Sequence, residues 1–229
     1  MIEFPESFRW LIAGPTGSGK SYFAGWIAEK LHDLEKRFIV LDTDTKNHYG
    51  LVQLKKVKLL RIKPGYDYDF WKVANIRDSV LVVPTEAFLL KKGVDELIEI
   101  YKHFLKVIFR AKKPVAVFIE EVHRYQHGYK PDKSVEVLAR EGRKYGINPI
   151  YITQRIQEFP KILWSNCTGT FVFRWTIPQD IRYIKDMIPN FEEINRELRR
   201  HDVLFYNHIT GEIKMIPKEM IIRRTRHYG

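Results

Sequence analysis

The chain has 229 residues, one cysteine and a formal net charge of +11, with 39 Lys and Arg against 28 Asp and Glu. That length holds one large α/β domain with a sizeable core, or two small ones, and the lone Cys167 excludes an internal disulfide and argues against a cysteine-based metal site. The opening MIEFPESFRW carries two acids and no long apolar run, and no window reaches the ~18 apolar residues of a membrane span, so a soluble, cytoplasmic protein is expected.

Phe8 to Ala13 reads as a short strand running into GPTGSGKS, where Gly14, Gly19, Lys20 and Ser21 fit G-x-x-x-x-G-K-[ST]. Gly14, Gly17 and Gly19, with Pro15, Thr16 and Ser18 between them, let the backbone turn its N–H groups inward toward phosphate oxygens. Lys20 is then expected at the β- and γ-phosphates and Ser21 in the Mg²⁺ shell. Downstream, Phe23, Ile27, Leu31 and Leu34 repeat at helical spacing, so the loop opens a helix whose free N–H groups favour an anion. The context predicts a site for ATP or GTP.

Apolar runs then alternate with helical patterns, as in a mostly parallel sheet flanked by helices. Strands are expected at Arg37–Leu41, Lys56–Ile62, Ser79–Val83, Val115–Ile119, Pro149–Thr153 and Thr170–Trp175. Helices are expected at Tyr68–Arg77, Val94–Arg110, Ser134–Tyr145 (capped by Asp132 or Ser134), Gln179–Met187 and Phe191–Arg200. Asp202–Asn207 and Glu212–Pro217 flank HITG as a terminal β-hairpin. The simplest division is one P-loop domain, with its core at about 8–217 and a basic tail at 218–229.

The buried run VAVFI ends in Glu120 and Glu121, the acids that such a fold needs opposite the phosphate loop. One carboxylate is expected beside Mg²⁺ and the other on the water that attacks the γ-phosphate. The next strand ends in YITQR, where the Gln154 amide both donates and accepts hydrogen bonds and suits a γ-phosphate or water sensor. The acid pair and this glutamine argue against a small-molecule kinase. Before that strand, AREGRKYGINP offers Arg140 and Arg143 as candidates for an arginine supplied to a neighbouring subunit. HRYQH has i,i+4 histidines but not the HExxH order, so it reads as a loop rather than a zinc site.

In order, GPTGSGKS, FIEEVHR, LAREGRKYGINPIYITQR and FPKILWSNCTGTFVFRWTIPQDI resemble the HerA/FtsK superfamily of ring-forming ATPases that pump double-stranded DNA. LDTDTKNHYG is similar to the segment after that family's second strand. The resemblance implies a RecA-like P-loop fold of the additional-strand, catalytic-glutamate type, using ATP and Mg²⁺. It makes Lys20 the phosphate lysine, Ser21 and Glu120 the metal-side residues, Glu121 the catalytic glutamate and Gln154 the sensor. Arg143 aligns with the trans-acting arginine and Arg140 is the fallback, which implies a homo-oligomeric ring, commonly a hexamer.

The trimmed architecture is similar to compact viral genome-packaging ATPases, for which capsid or membrane-vertex proteins are further partners and host cytoplasm or virion the location. A HerA-like or conjugation-type DNA pump and a nucleotide-switched assembly factor are the alternatives. The basic excess suits non-sequence-specific DNA binding. The segments around Lys55–Lys63 and Tyr125–Lys133 are candidates for facing the DNA, and Arg223–Arg226 for DNA contact, partner contact or disorder.

Overall fold

The structure, a computed structural model, describes residues 4–127 and 130–228. In chain order its elements are β1 (Trp10–Ala13), α1 (Lys20–Asp33), β2 (Phe38–Leu41), β3 (Val57–Ile62), α2 (Phe70–Asn75), β4 (Ser79–Pro84), α3 (Glu86–Ala111) and β5 (Val115–Ile119). There follow β6 (Gln126–His127), β7 (Lys130–Pro131), α4 (Lys133–Glu141), β8 (Ile147–Thr153), α5 (Lys161–Trp164) and β9 (Gly169–Phe173). The chain closes with α6 (Pro178–Lys185), α7 (Phe191–Glu197), β10 (Val203–Asn207) and β11 (Ile213–Ile216).

Among the described residues, nine strands form one sheet in the order β11-β10-β9-β1-β8-β5-β2-β4-β3. From β9 to β3 every neighbouring pair is parallel, and the hairpin β10–β11 adds antiparallel to β9. Strands buried on both faces read as continuous apolar runs rather than alternating ones, which is the form of VAVFI and FIVL. Their side chains nevertheless divide by parity. Leu11, Ile39, Leu41, Val117 and Ile119 join one core, and Trp10, Ile12, Phe38, Val40 and Phe118 join the other. The first core packs under α3, α4, α6 and α7; the second packs under α1 and the chain's C-terminal segment.

β8 lies between β1 and β5, so the strand leading into the phosphate loop and the strand ending in acids are not neighbours. Because β1, β2, β5 and β8 are parallel, Gly14, Asp42, Glu120 and Gln154 emerge at one edge of the sheet.

Besides α5 and the β6–β7 pair, which were not expected, two elements differ from expectation in ways that matter for packing. The helix expected from Val94 is the second part of α3, which begins at Glu86 and breaks at Gly93, where φ is 77°. A side-chain-bearing residue is costly at that angle and glycine is not. The segment beyond Pro217, expected as a basic tail, packs as a strap across α1. Glu29 of α1 is buried and accepts hydrogen bonds from the Arg224 and Thr225 N–H groups (3.0 and 2.8 Å) and from the Thr225 hydroxyl (2.6 Å). The Arg223 guanidinium is fully buried, 3.7 Å from Glu29. Gly25 and Gly50 make room: a Cβ on the first would collide with that guanidinium, and one on the second with the Arg226 carbonyl.

Candidate nucleotide-binding site

β1 delivers the chain to the sheet edge, where the Gly14 N–H extends the ladder by donating to the Thr153 carbonyl (3.3 Å). The loop then curls back through left-handed residues Gly17 (φ 74°) and Gly19 (φ 103°) into α1, whose first turn carries no acid to oppose an anion. The loop rests on Phe173, which a Cβ at Gly14 would strike, and on His201, whose Nδ1 lies 2.9 Å from the Ser18 carbonyl oxygen. A cavity of about 770 Å³ opens over this loop, a volume within the usual range for small-molecule sites. Thr16, Lys20, Ser21, Glu120, Glu121 and Gln154 line it, so residues expected from three separate motifs meet at one place.

Lys20 donates to the Pro15 carbonyl (3.0 Å), and burial lowers its pKa against the opposing pull of Glu120 and Glu121. An ammonium that has lost hydration in this way gains most from a phosphate group entering beside it. The Ser18 hydroxyl oxygen is buried with no hydrogen-bond partner among the described residues.

The two glutamates occupy different environments. Register pairs Leu41 with Ile119, so Asp42 and Glu120 lie side by side at the ends of β2 and β5, both buried. His48, itself buried, joins them: its N–H donates to Asp42 Oδ2 (3.1 Å) and its Nε2 lies 2.7 Å from Glu120 Oε1. Burial raises Asp42 and Glu120 to about 7 each, while burial holds the His48 imidazole down toward its neutral form. Glu121 adopts a left-handed conformation (φ 51°, ψ 42°), which turns the chain out of the strand. Such a backbone is costly for a residue with a side chain and clusters at functional sites. Its Oε2 accepts from the Gln154 amide (3.2 Å) and lies 3.2 Å from His123 Nε2. Burial raises this carboxyl as well, with the Glu120 charge adding to the effect.

Gln154 bridges the two halves of the site. Its Nε2 donates to Glu121, and its Oε1 accepts from the Thr16 hydroxyl in the loop (2.5 Å). The amide therefore uses both its donor and its acceptor. The donor set at the Ser21 and Glu120 side, one hydroxyl and one carboxylate with room for nucleotide oxygens and water, suits Mg²⁺. A cation there would also return Glu120 to its ionised form.

Arg140 and Arg143 are exposed and lie before β8, at the opposite end of that strand from Gln154, so neither reaches its own cavity. Arg140 pairs with Glu136 (2.8 Å). Of HRYQH, His123 joins the site through Glu121 and Thr153, with its pKa lowered by burial to about 4, while His127 is exposed. Cys167 is buried, with its thiol pKa pushed up by burial, as a packing residue. Sequence reasoning missed His48, His123, His201 and the strap residues Lys218, Glu219, Ile221 and His227, which form the far wall of the cavity.

A phosphate loop, an acidic strand and an intervening strand ending in a glutamine define the P-loop NTPase fold with an additional central strand. The chain belongs to the family described as "Helicase HerA, central domain", whose pattern matches residues 8–158. It is 28% identical over 165 residues to Protein P9 of Pseudoalteromonas phage PM2, covering 70% of this chain and 66% of that protein. It is 29% identical over 107 residues to the probable helicase MJECL08 of Methanocaldococcus jannaschii, covering 45% of this chain but 21% of that protein.

In fold it is similar to the genome packaging NTPase B204 from Sulfolobus turreted icosahedral virus 2 in complex with ATP-gammaS, with a TM-score of 0.66, 17% identity, and coverage of 93% of this chain and 98% of the other. The bacterial conjugative coupling protein TrwBdeltaN70 gives a TM-score of 0.70 at 11% identity, over 96% of this chain and 87% of the other. Among the described residues no helix is long and apolar enough to cross a membrane.

Proposed function

We propose that the chain is an ATP-hydrolysing subunit of a ring-shaped motor that moves double-stranded DNA, with packaging of a viral genome into a preformed capsid as its role. The observation that carries the hydrolytic part is Gln154, held between Thr16 of the phosphate loop and Glu121 of the acidic strand. A γ-phosphate entering the cavity must break or redirect one of these bonds, so the glutamine is poised to report its presence.

The backbone N–H groups of residues 16, 17 and 19–21 receive the phosphates, and Lys20 exchanges the Pro15 carbonyl for them. Ser21 and Glu120 would hold Mg²⁺, which when bound would neutralise charge on the phosphate oxygens. Glu121 orients the attacking water and accepts its proton; its raised pKa makes it a better base than an ordinary glutamate. Arg143, or failing it Arg140, acts on the neighbouring subunit, because neither reaches its own cavity. That requirement makes a ring, a hexamer by family resemblance, the working form.

Packaging is supported by the phage relative, by the fold shared with a viral genome packaging NTPase, and by the +11 charge suited to a polyanion. Capsid or membrane-vertex proteins are then its partners. The fold shared with a conjugative coupling protein supports a conjugation-type DNA pump as the second reading. The test is displacement of a triplex-forming third strand from linear duplex DNA. ATP-dependent displacement that fails with a non-hydrolysable analogue is expected; ATP turnover without displacement at any DNA length would reject the motor.

A further inference from the structure

A second cavity, of about 530 Å³, opens at the ends of β3 and β4. Its wall includes Lys46, Tyr49, Arg61, Thr85, Glu86 and Tyr228. Arg61, exposed on the edge strand, donates one Nη2 hydrogen bond to the Tyr49 hydroxyl (2.8 Å) and stands 5.7 Å from that ring's centre. The Tyr49 and Tyr228 rings meet edge to face at 6.2 Å, and the Arg226 guanidinium lies 5.0 Å from the Tyr228 ring. Lys63 and Tyr66 repeat the cation-on-ring arrangement just beyond the strand, at 5.3 Å. Glu86 is the cavity's one acid among the described residues, and it lies 3.8 Å from Lys46.

The two cavities share a partition. Along the loop after β2, Thr43 and Asn47 face the nucleotide cavity while Thr45, Lys46 and Tyr49 face the second. On the strap, His227 faces the first and Tyr228 the second. Between them on the loop, His48 holds Glu120.

We propose that this second cavity binds the phosphodiester backbone of nucleic acid, with Arg61 and Lys46 on phosphate and the Tyr49 and Tyr228 rings against the sugar. The Arg61 guanidinium keeps donors beyond the one spent on Tyr49, and an Arg fork matches phosphate geometry. The Tyr49 hydroxyl, accepting from Arg61, retains its own proton to donate. Occupancy here bears directly on the loop that positions Glu120, which gives the nucleic acid a short route to the nucleotide site. The proposal rests on the DNA-binding reading and narrows the earlier Lys55–Lys63 candidate to one residue, Arg61, with partners from outside that segment.

The test is duplex-DNA affinity by fluorescence anisotropy across a salt series, for the full chain, for Arg61→Ala combined with Lys46→Ala, and for Lys58→Ala. Lys58 lies on the same edge strand outside the cavity, paired to Asp78, and controls for loss of a single positive charge from that strand. Loss of two phosphate contacts lowers the slope of log affinity against log salt by about 2 and weakens binding at least about tenfold at moderate salt, with Lys58→Ala unchanged. Unchanged binding by the double variant, or an equal loss with Lys58→Ala, overturns this site while leaving DNA binding in place. A full chain that fails to bind duplex DNA at low salt overturns both.

Discussion

Glu120 and Glu121 are adjacent in sequence, yet one side of the cavity is sealed and the other is open. Glu120 lies in a closed group with Asp42 and His48, its side chain 6% exposed, with burial raising both carboxyls to about 7. Glu121, 19% exposed, is turned by a left-handed backbone toward Gln154 and His123. Both line the nucleotide cavity, but Glu120 stays beside Asp42 at the strand end, while the left-handed turn at Glu121 brings its side chain to Gln154. Two chemically identical groups thereby sit in different environments: a buried carboxyl that a cation would draw into ionisation, and a more accessible one.

The largest way to break this division is Glu121→Gln. It keeps shape and hydrogen bonding but removes the carboxylate proposed as the proton acceptor, so steady-state ATP hydrolysis should fall by about 10²- to 10⁴-fold while nucleotide binding, measured by calorimetry, persists. Hydrolysis within a few-fold of the natural chain would move the base elsewhere.

A smaller effect sharpens the sealed side. Asp42, raised from 3.8 to about 7, holds a proton in the folded protein that the unfolded chain has released across that pH window. Its contribution to stability is therefore present at low pH and lost as pH rises toward 7. Asp42→Asn removes this titration, so the variant should gain stability relative to the natural chain as pH rises from 5 to 8, by at most about 1.4 kcal/mol per pH unit per proton. Parallel denaturation curves at every pH would show that Asp42 is ionised in the fold.

The strand-loop-helix and acidic strand were legible because each is local: G-x-x-x-x-G-K-S, VAVFIEE and YITQR each fall within a dozen residues. Parallel register then brings Gly14, Glu120 and Gln154 to one edge. His48 was not legible, because its partners Asp42 and Glu120 meet only through the β2–β5 register and a six-residue excursion. His123 appeared as half of an i,i+4 pair, and only the turn at Glu121 shows which histidine faces the site. The strap was hidden for another reason. RRTRH resembles a solvated basic tail, and its burial depends on one carboxylate, Glu29, and on space left at Gly25 and Gly50, each far away in sequence. The Tyr125–Lys133 segment includes residues 128 and 129, which lie outside the described residues; within it Tyr125 is buried, and β6 pairs antiparallel with β7.

The division between the two glutamates is tested most directly by ATP affinity as a function of Mg²⁺ concentration in Glu120→Gln and Glu121→Gln. Glu120→Gln is expected to lose the gain in affinity that Mg²⁺ confers, while Glu121→Gln keeps it in full. Loss of that gain in Glu121→Gln with retention in Glu120→Gln would contradict the assignment and exchange the roles of the two carboxylates.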